Sequence, residues 1–239
     1  MESLRYLSSG EIFIEPKDDC DRVVDVMLET SYSEEFCIAR DFDDIDFMAR
    51  LMEAGFLVMS TEINLDDFSG DKDKRYYLLL PKLHLIRSAL FFPNLHIKKR
   101  IAPLLSRYEL KIDTCFDQVL DKCVEKHGSA WLTLPLVCVL KELRRTSLPP
   151  RPVSFELYRD GKLMAGEVGI VLGRVYTSYS GYCEENNSGT IQMILMAKWL
   201  EKNGFEFLDF GMPLKYKSLL GAHNISPEHF VRIFRAARR

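Results

Sequence analysis

The stretch VSFELYRDGKLMAGEVGIVLGRVYTSYS, residues 153–180, decides the fold. It contains three strand-like runs at 153–158, 163–172 and 175–180, rich in β-branched and aromatic residues. Asp160-Gly161 separates the first two runs and Gly173 the last two, and tight hairpin turns favour these residues. The stretch therefore predicts an antiparallel meander of three strands.

The segments around the meander alternate between helical and strand patterns. Downstream, a helix at 190–202 ends at Asn203-Gly204, a strand follows at 205–210, and Ser226-Pro227 begins a last helix. Upstream, the predicted elements are strands at 78–81, 88–92 and 109–113, a basic helix from about residue 97, and helices at 115–126 and 131–145. We expect a mixed, mostly antiparallel sheet flanked by helices.

The first 80 residues predict a separate, small α+β domain. Short strands are expected at 11–15 and 56–62, with helices at 21–29 and 45–54, and Gly55 ends the second helix. The polar stretch 66–74 predicts an exposed loop near the boundary. We therefore expect two domains, residues 1–80 and residues 81–239.

The formal charge of −3 hides a strong asymmetry between these two parts. Residues 1–80 carry 8 Lys and Arg against 20 Asp and Glu, whereas residues 81–239 carry 24 against 15. The formal charges are −12 and +9. A basic domain favours a polyanionic partner, because basic side chains near phosphates release condensed counterions. A merely solvated basic surface explains the charge equally well.

The cysteines and the hydropathy exclude several classes of protein. The six cysteines form no C-x-x-C pair and no histidine stands at zinc-finger spacing, so we expect reduced thiols in the core and no metal. No apolar run reaches the roughly 18 residues of a membrane span, and the N-terminal sequence lacks a signal-peptide pattern. A cytoplasmic protein without a membrane partner is expected.

The order meander, helix, strand, loop, helix resembles the GNAT-like acyltransferases. Such an arrangement splays neighbouring strands, and backbone groups in the gap can hold an acyl carbonyl. The Gly-rich pyrophosphate loop of an acetyl-CoA enzyme is absent, because Glu184-Glu185 stands ahead of the helix at 190–202. Two carboxylates would repel a diphosphate there. Coenzyme A is disfavoured and no cofactor is expected, although an acyl-CoA-dependent N-acyltransferase stays as an alternative.

Several motifs, in the same order and at similar spacings, resemble those of the leucyl/phenylalanyl-tRNA-protein transferases, which are similar to GNAT enzymes in fold. The similarity also includes the segment from Phe47 to Phe56. The motifs are Phe92-Pro93-x-Leu95-His96-Ile97, Ala130-Trp131-Leu132-Thr133, Ser154-Phe155-Glu156-Leu157-Tyr158, Asn187-Ser188, Leu208-Asp209 and Ser218-Leu219-Leu220-Gly221-Ala222.

This resemblance implies transfer of an amino acid, leucine or phenylalanine in the family, from charged tRNA to the N-terminal amine of an acceptor protein or peptide. The transfer marks the acceptor for degradation. Asp209 falls at the family's conserved aspartate, as general base, amine orienter or structural hydrogen-bond acceptor. Trp131 either stacks near the aminoacyl end or packs in the core. Glu156 is an orienting carboxylate or a solvent-facing residue. We expect a monomer.

The resemblance also implies which residues bind tRNA and which bind the substrates. Basic residues after the Leu95-His96-Ile97 motif are expected to hold the tRNA acceptor stem, or are otherwise a solvated face. They are Lys98, Lys99, Arg100 and Arg107. The chain departs from the family at its substrate pocket and amine-activating positions, where it has Glu167, Tyr179, Ser180, Gly181 and Gly211.

Two consequences follow from these departures. Glu167 and Gly181 replace methionines that line the pocket, Tyr179 replaces a glutamate near the reacting amine, and Gly211 replaces a glutamine. Tyr179 is then a candidate hydrogen-bonding partner in a rebuilt site. A buried Glu167 would require a cationic or hydrogen-bonding partner. A non-catalytic member that binds tRNA or a protein N-terminus is the third hypothesis.

Overall fold

The computed structural model describes residues 4–30, 35–63, 75–146 and 149–239. It divides into two compact units: residues 1–83 with 127–146 form unit 1, and residues 84–126 with 147–239 form unit 2. The division at 83/84 lies close to the predicted one at 80/81. The segment 127–146, which the sequence assigns to the second domain, belongs to unit 1. The loop predicted at 66–74 lies outside the described residues.

Unit 1 is a small α+β unit with two short antiparallel sheets, β1 with β2 and β3 with β4. Asp19 and Asp44 cap its first two helices, accepting hydrogen bonds from the Arg22 and Phe47 amides. The elements are β1 (Arg5–Tyr6), β2 (Ile12–Phe13), α1 (Cys20–Glu29), α2 (Ile45–Glu53), β3 (Leu57–Ile63), β4 (Tyr76–Lys82) and α4 (Leu134–Leu143).

Hydrogen bonds to β3 place the segment 127–146 in unit 1. The Ser60 amide donates to the Trp131 carbonyl at 2.9 Å, and the Ser60 and Thr133 hydroxyls are 2.7 Å apart. Helix α4 packs against α2 through a buried apolar face. It begins at Leu134 rather than at the predicted residue 131, because Thr133 is extended and Pro135 occupies the first turn.

Unit 2 contains a seven-stranded sheet in the order β11-β5-β10-β9-β8-β7-β6. The pair β9–β10 is parallel and every other pair in this sheet is antiparallel. The strands are β5 (Arg87–Leu90), β6 (Glu109–Ile112), β7 (Arg151–Arg159), β8 (Lys162–Leu172), β9 (Val175–Cys183), β10 (Phe207–Asp209) and β11 (His223–Ile225). The helices are α3 (Phe116–His127), α5 (Ser188–Lys202), α6 (Lys215–Leu219) and α7 (Pro227–Ala237).

The meander β7-β8-β9 confirms the prediction from residues 153–180. Asp160 and Gly161 have φ values of 51° and 74°, the left-handed conformation that a two-residue hairpin turn requires. Gly173 has a φ of 54° in the second turn. The sheet is mixed and mostly antiparallel with helices packed on it, so the predicted α+β class is confirmed.

An aromatic cluster joins the meander to α5. The Phe155 ring makes edge-to-face contacts with Tyr176 at 5.2 Å and with Trp199 at 5.5 Å between centroids. Apolar residues of α5, such as Ile191 and Leu200, are buried in the same core. This core fixes the position of the face of β8 and β9 that α5 covers.

The local structure differs from the predictions in two places. The basic helix predicted from residue 97 is a turn followed by a 3₁₀ helix at Ala102–Arg107, because Pro103 interrupts the backbone pattern and short-range bonds such as Ile101 N to Lys98 O form instead. The cysteines are all free, but Cys138 and Cys183 are exposed rather than in the core.

The sheet is split between its two parallel strands. Strand β10 pairs with Val175–Thr177 of β9 and ends at Asp209, whereas β9 continues for six more residues to Cys183. Within the part of the chain that the structure describes, no strand pairs with that edge of β9 beyond Thr177. Strand β9 therefore extends past the end of β10 at this point of the sheet.

We expect Gly169→Ala to destabilise unit 2. An added Cβ would collide with the Thr177 carbonyl oxygen and come within 2.5 Å of Tyr176 Cζ, and overpacking of this kind costs about 1–3 kcal/mol. Urea unfolding followed by circular dichroism measures the loss. The matched control is Gly189→Ala in α5, where the new Cβ makes only ordinary contact with Cys183 at 3.5 Å. An equal effect of both substitutions would contradict the packing argument.

Candidate functional site

A buried ion pair lies where β9 and β10 part. Arg87 of β5 binds both carboxylate oxygens of Asp209, at 2.8 Å from Nε to Oδ1 and 2.6 Å from Nη2 to Oδ2. Both side chains are almost fully buried, and the guanidinium lies 4.1 Å from the centroid of the Phe230 ring. The pair joins β5, β10 and α7 at the split.

The carboxylate of Asp209 is fully committed within the fold. It also accepts hydrogen bonds from Thr177 Oγ1 at 3.0 Å and from the Gly211 amide at 2.9 Å. Burial alone would raise the pKa of Asp209, but the Arg87 guanidinium and these hydrogen bonds outweigh burial and lower it. A carboxylate with a lowered pKa and four donors is a poor general base. Of the three predicted roles, the geometry favours the structural one.

Gly211 serves the same junction through its backbone. Its amide donates to Asp209, its carbonyl accepts from the Ser88 amide at 2.7 Å, and its φ of 68° lets the chain turn away from β10. Gly211 was predicted to bind substrate. In the structure, its amide and carbonyl are used to end β10.

Glu156 is buried at the start of α3 rather than in an open site. Its carboxylate accepts hydrogen bonds from Thr114 Oγ1 at 3.0 Å, from the Thr114 and Cys115 amides at 3.3 and 3.4 Å, and from Ser154 Oγ. A carboxylate at a helix N-terminus satisfies amides that lack a partner within the helix. This geometry contradicts the solvent-facing interpretation and gives Glu156 a structural role.

A second polar cluster lies on the opposite face of the sheet, centred on Glu167 of β8. Glu167 is 4% exposed and stands directly across from Gly181 of β9. Burial raises the pKa of Glu167 to about 7, against the opposing effects of Ser178, Lys217 and the further polar neighbours Tyr176 and Gln192. The sequence left open whether this glutamate is buried or solvated, and it is buried.

Lys217 of α6 is the cation that acts on the pKa of Glu167. It was not identified as a site residue from the sequence. Its Nζ donates to the carbonyl oxygens of Phe210 at 2.6 Å and Met212 at 2.9 Å, and the side chain is buried. Burial lowers the pKa of Lys217 to about 8, while Glu167 and Asp209 oppose that shift. Because the segment 214–220 also contains Lys215, Tyr216 and Ser218, the sequence carries no local signal that Lys217 is buried.

Arg87 was missed in the same way. It is the charged residue in the run Leu85-Ile86-Arg87-Ser88-Ala89-Leu90, where a strand in the middle of a sheet is expected to be buried. A buried arginine requires an acidic partner. That partner is 122 positions away in the sequence, which spacing alone could not identify.

The other predicted substrate residues divide between the two faces of β9. The register shift between Val168 and Gly169 makes Tyr179 the bulged residue, and its side chain is half-buried. Ser180 is buried beside Cys123 of α3, where burial raises the pKa of the Cys123 thiol to about 12. Gly181 is exposed and lies over the side chain of Glu167. Only Gly181 therefore borders the Glu167 cluster directly.

Trp131 belongs to unit 1, whereas the other predicted site residues belong to unit 2. Its side chain is half-buried, and its carbonyl accepts from the Ser60 amide and from Ser60 Oγ at 3.1 Å. It lies in a bend ahead of α4 rather than within a helix. Stacking on a nucleotide stays a prediction for this residue.

The predicted tRNA-binding residues lie on the surface of unit 2. Lys99, Arg100 and Arg107 are exposed and Lys98 is half-buried, within the turn and the 3₁₀ helix that precede β6. Exposure is compatible both with phosphate binding and with a solvated face. Among residues 4–30, 35–63, 75–146 and 149–239, no three His, Cys, Asp or Glu side chains are placed to hold a metal ion. None of the helices described could span a lipid bilayer.

The acidic pair ahead of α5 is partly neutralised. Glu184 forms an ion pair with Lys122, and Glu185 forms one with Arg159 at 2.7 Å and accepts from Tyr108 Oη at 2.8 Å. Asn187 adopts a left-handed conformation with φ 71° at the start of the helix. The helix N-terminus thus carries carboxylates on its approach, as the sequence predicts.

The class is defined by a mixed sheet whose two parallel strands differ in length and by buried carboxyl groups beside them: it is an α+β protein with buried polar side chains in its sheet. The family model described as leucyl/phenylalanyl-tRNA protein transferase matches residues 89–235, which is more than half of the chain. The chain belongs to this family.

Individual proteins are also similar to this chain. A leucyl/phenylalanyl-tRNA–protein transferase of Pseudomonas putida (strain W619) is 30% identical over 149 residues, and the match covers 60% of this chain and 65% of that protein, just under two thirds. One from Campylobacter jejuni (strain RM1221) is 25% identical over 190 residues, covering 79% and 83%. The solved structure of L-PGS from Bacillus licheniformis has 12% identity and a TM-score of 0.46, covering 98% of this chain and 88% of that one.

We expect Asp209→Asn to cost about 3–5 kcal/mol of unfolding free energy, because it leaves the Arg87 charge buried without a counter-ion. Since the pKa of Asp209 is lowered, the ion pair contributes fully at neutral pH and is lost only as the pH falls through that lowered pKa. Urea titration at pH 7 and pH 3 measures both effects. The control is the double variant Arg87→Met/Asp209→Leu, which should recover most of the loss. A single-variant cost below about 1 kcal/mol would be incompatible with an anchoring pair.

Proposed function

We propose that this chain transfers an amino acid from aminoacyl-tRNA to the N-terminal amine of a protein or peptide. The observation that carries the proposal is the family match over residues 89–235, which spans strands β6 to β11 and contains Glu167, Asp209 and Lys217. Relatives named as leucyl/phenylalanyl-tRNA–protein transferases support it at 25–30% identity. The transfer would mark the acceptor for degradation, as the family resemblance implies.

The reaction needs positioning and proton transfer more than strong activation. The amine nitrogen attacks the ester carbonyl carbon, an N–C bond forms, and the C–O bond to the terminal ribose breaks. The amine loses one proton and the ribose oxygen gains one. Backbone groups at the split between β9 and β10 would hold the carbonyl, and a nearby carboxyl would receive the proton.

The identity of the transferred amino acid is a separate question, because the residues that face α5 do not form an apolar pocket for its side chain. Glu167 is a buried carboxyl and Gly181 contributes no side chain, so neither offers the apolar surface that favours leucine or phenylalanine. We keep leucine and phenylalanine as the first donors to test. The tests should include donors with polar and charged side chains.

The partners of the proposed reaction are charged tRNA and an acceptor N-terminus. The +9 formal charge of residues 81–239 supports a nucleic-acid partner, and the exposed residues Lys99, Arg100 and Arg107 are candidates for phosphate contacts. Because charged tRNA is the donor, we propose the cytoplasm as the location and a monomer as the acting form.

We expect transfer from at least one aminoacyl-tRNA to a peptide with a free N-terminus and none to the same peptide after N-acetylation. The assay incubates the full chain with each radiolabelled aminoacyl-tRNA and follows label in the peptide. Failure of all twenty donors would exclude the proposed activity. Tight tRNA binding without any transfer would instead support the non-catalytic hypothesis.

We expect the triple variant Lys98→Ala/Lys99→Ala/Arg100→Ala to bind tRNA more weakly and with a smaller salt dependence. For every phosphate that is no longer neutralised, the slope of log affinity against log salt should fall by about 0.7–0.9. Fluorescence anisotropy across salt concentrations measures this slope. The control is Lys198→Ala/Lys202→Ala on the exposed side of α5, which should leave the slope unchanged. Equal slopes for the triple variant and the wild type would assign the basic turn to a solvated face.

A further inference from the structure

Glu167 and Tyr176 hold buried polar atoms without partners. Within the described parts of the chain, neither Glu167 Oε1 nor the Tyr176 hydroxyl makes a hydrogen bond of good distance and angle, and both side chains are more than nine-tenths buried. The Tyr176, Ser178 and Gln192 side chains are nevertheless close enough to oppose the rise in the pKa of Glu167. A buried polar atom left unpaired costs about 1–3 kcal/mol. Such a cost in the middle of a well-packed sheet indicates a site for a ligand group rather than a packing requirement.

The side chain of Glu167 is covered on its β9 side by a glycine. Gly181 stands opposite on β9, and the space that its missing Cβ would occupy is 3.5 and 3.6 Å from Glu167 Cβ and Cγ. Gly181 is exposed and Ser178 is half-buried, so the cover over the carboxyl is thin. Gly181 lies in the part of β9 that extends beyond the end of β10. An amine bound beside that extension would therefore lie next to Glu167.

The lysine beside Glu167 does not neutralise it directly. Lys217 and Glu167 each affect the pKa of the other, yet they form no ion pair within 4 Å, because the Lys217 ammonium donates to two backbone carbonyls. The carboxyl thus has a positive charge nearby and a free acceptor oxygen. That combination suits an incoming amine, which brings a hydrogen-bond donor and a proton to release.

We propose that Glu167, and not Asp209, receives the attacking amine: its Oε1 accepts a hydrogen bond from the N-terminal amine of the acceptor and then takes the proton. This inference rests on the proposed aminoacyl transfer and assigns a catalytic group to it. Lys217 is a positioning residue, which keeps Glu167 partly ionised in a buried position.

The proton and bond changes balance without a further reagent. The neutral amine forms the N–C bond with the ester carbonyl, Glu167 carboxylate becomes the carboxylic acid, and the ribose oxygen leaves with the electron pair of the broken C–O bond. The same carboxylic acid can return the proton to that oxygen. The carboxylate is then restored for the next amine.

The electrostatics agree with this role. The pKa of Glu167 is about 7, close to that of a peptide N-terminus at about 7.7–8.0, so that proton transfer between them is nearly balanced. Asp209, with its lowered pKa, would bind the proton far more weakly. The ionisable groups that act on Glu167 or on Lys217 are Tyr176 on β9, Tyr216 and Lys217 on α6, Cys123 on α3, Asp209 on β10 and Arg87 on β5.

The first test is the pH dependence of transfer. We expect Glu167→Gln to lower kcat/KM by about 10²–10⁴ and to abolish the fall in rate below pH 7. Lys217→Met should move that fall upward by about one pH unit, because loss of the positive charge raises the pKa of Glu167. Lys217→Arg, which keeps the charge, should restore the wild-type position.

Two results of this test would overturn the proposal. One is a Glu167→Gln variant with the wild-type rate and pH profile. The other is a loss confined to lysyl and arginyl donors, since Glu167 would then recognise the donor side chain. Folding is checked by thermal unfolding at pH 8. There Glu167→Gln should be at least as stable as the wild type, because ionising a buried carboxyl with a raised pKa costs stability as the pH rises from about 4.5 to about 7.

The second test measures peptide binding and does not depend on transfer. It therefore tests the amine site at Glu167 even if the wild type transfers no amino acid. Calorimetry at pH 8 compares one peptide with a free and with an acetylated N-terminus. We expect the wild type to bind the free peptide more tightly, and Glu167→Gln to bind both equally. This result without transfer would support the amine site and contradict the proposed function. Equal binding, or no binding, of the two peptides by the wild type would overturn the amine site.

Discussion

The bidentate ion pair between Arg87 and Asp209 is the interaction on which the site depends. It lies at the last paired residue of β10, where it fixes β5, β10 and α7 relative to one another. Because Asp209 also binds the Gly211 amide, the chain must turn away from β9 at that point. The opening in the sheet is thus a consequence of a saturated carboxylate. A more weakly held aspartate would leave the end of β10 free to continue pairing.

Strand alternation gives the three buried carboxylates of unit 2 different roles. In the register of the sheet, Asp209 lies opposite Thr177 and Glu156 lies opposite Gly166, and these residues are on the face covered by α3 and α7. Glu167 is on the face covered by α5. The first two are satisfied by an arginine or by a helix N-terminus, whereas Glu167 Oε1 makes no hydrogen bond of good distance and angle. The surroundings of each carboxylate therefore determine its role: Asp209 binds an arginine, Glu156 caps a helix, and Glu167 can accept a hydrogen bond from a bound molecule.

Local sequence signals predicted the fold better than the site. The meander follows from Asp160-Gly161 and Gly173, whose conformations a tight turn requires, and the helix at Ser226-Pro227 follows from its cap. The burial of Glu167 and its approach to Lys217 depend on packing between elements about fifty residues apart, which no local pattern records. The helix predicted from residue 97 was wrong for a local reason, because the prediction took no account of Pro103.

The distance between Lys217 and Glu167 determines what the buried cluster can do. A direct ion pair would hold the glutamate ionised, as Arg87 holds Asp209, and would leave it a weak base. Complete absence of a cation would leave the buried carboxyl neutral and unable to accept a proton. Lys217 avoids both extremes because Phe210 and Met212 hold its ammonium away from direct contact. Lys217 therefore acts on Glu167 through the electrostatic effect of its charge and not through a direct ion pair. A carboxyl whose pKa is about 7 can both accept and release a proton near neutral pH.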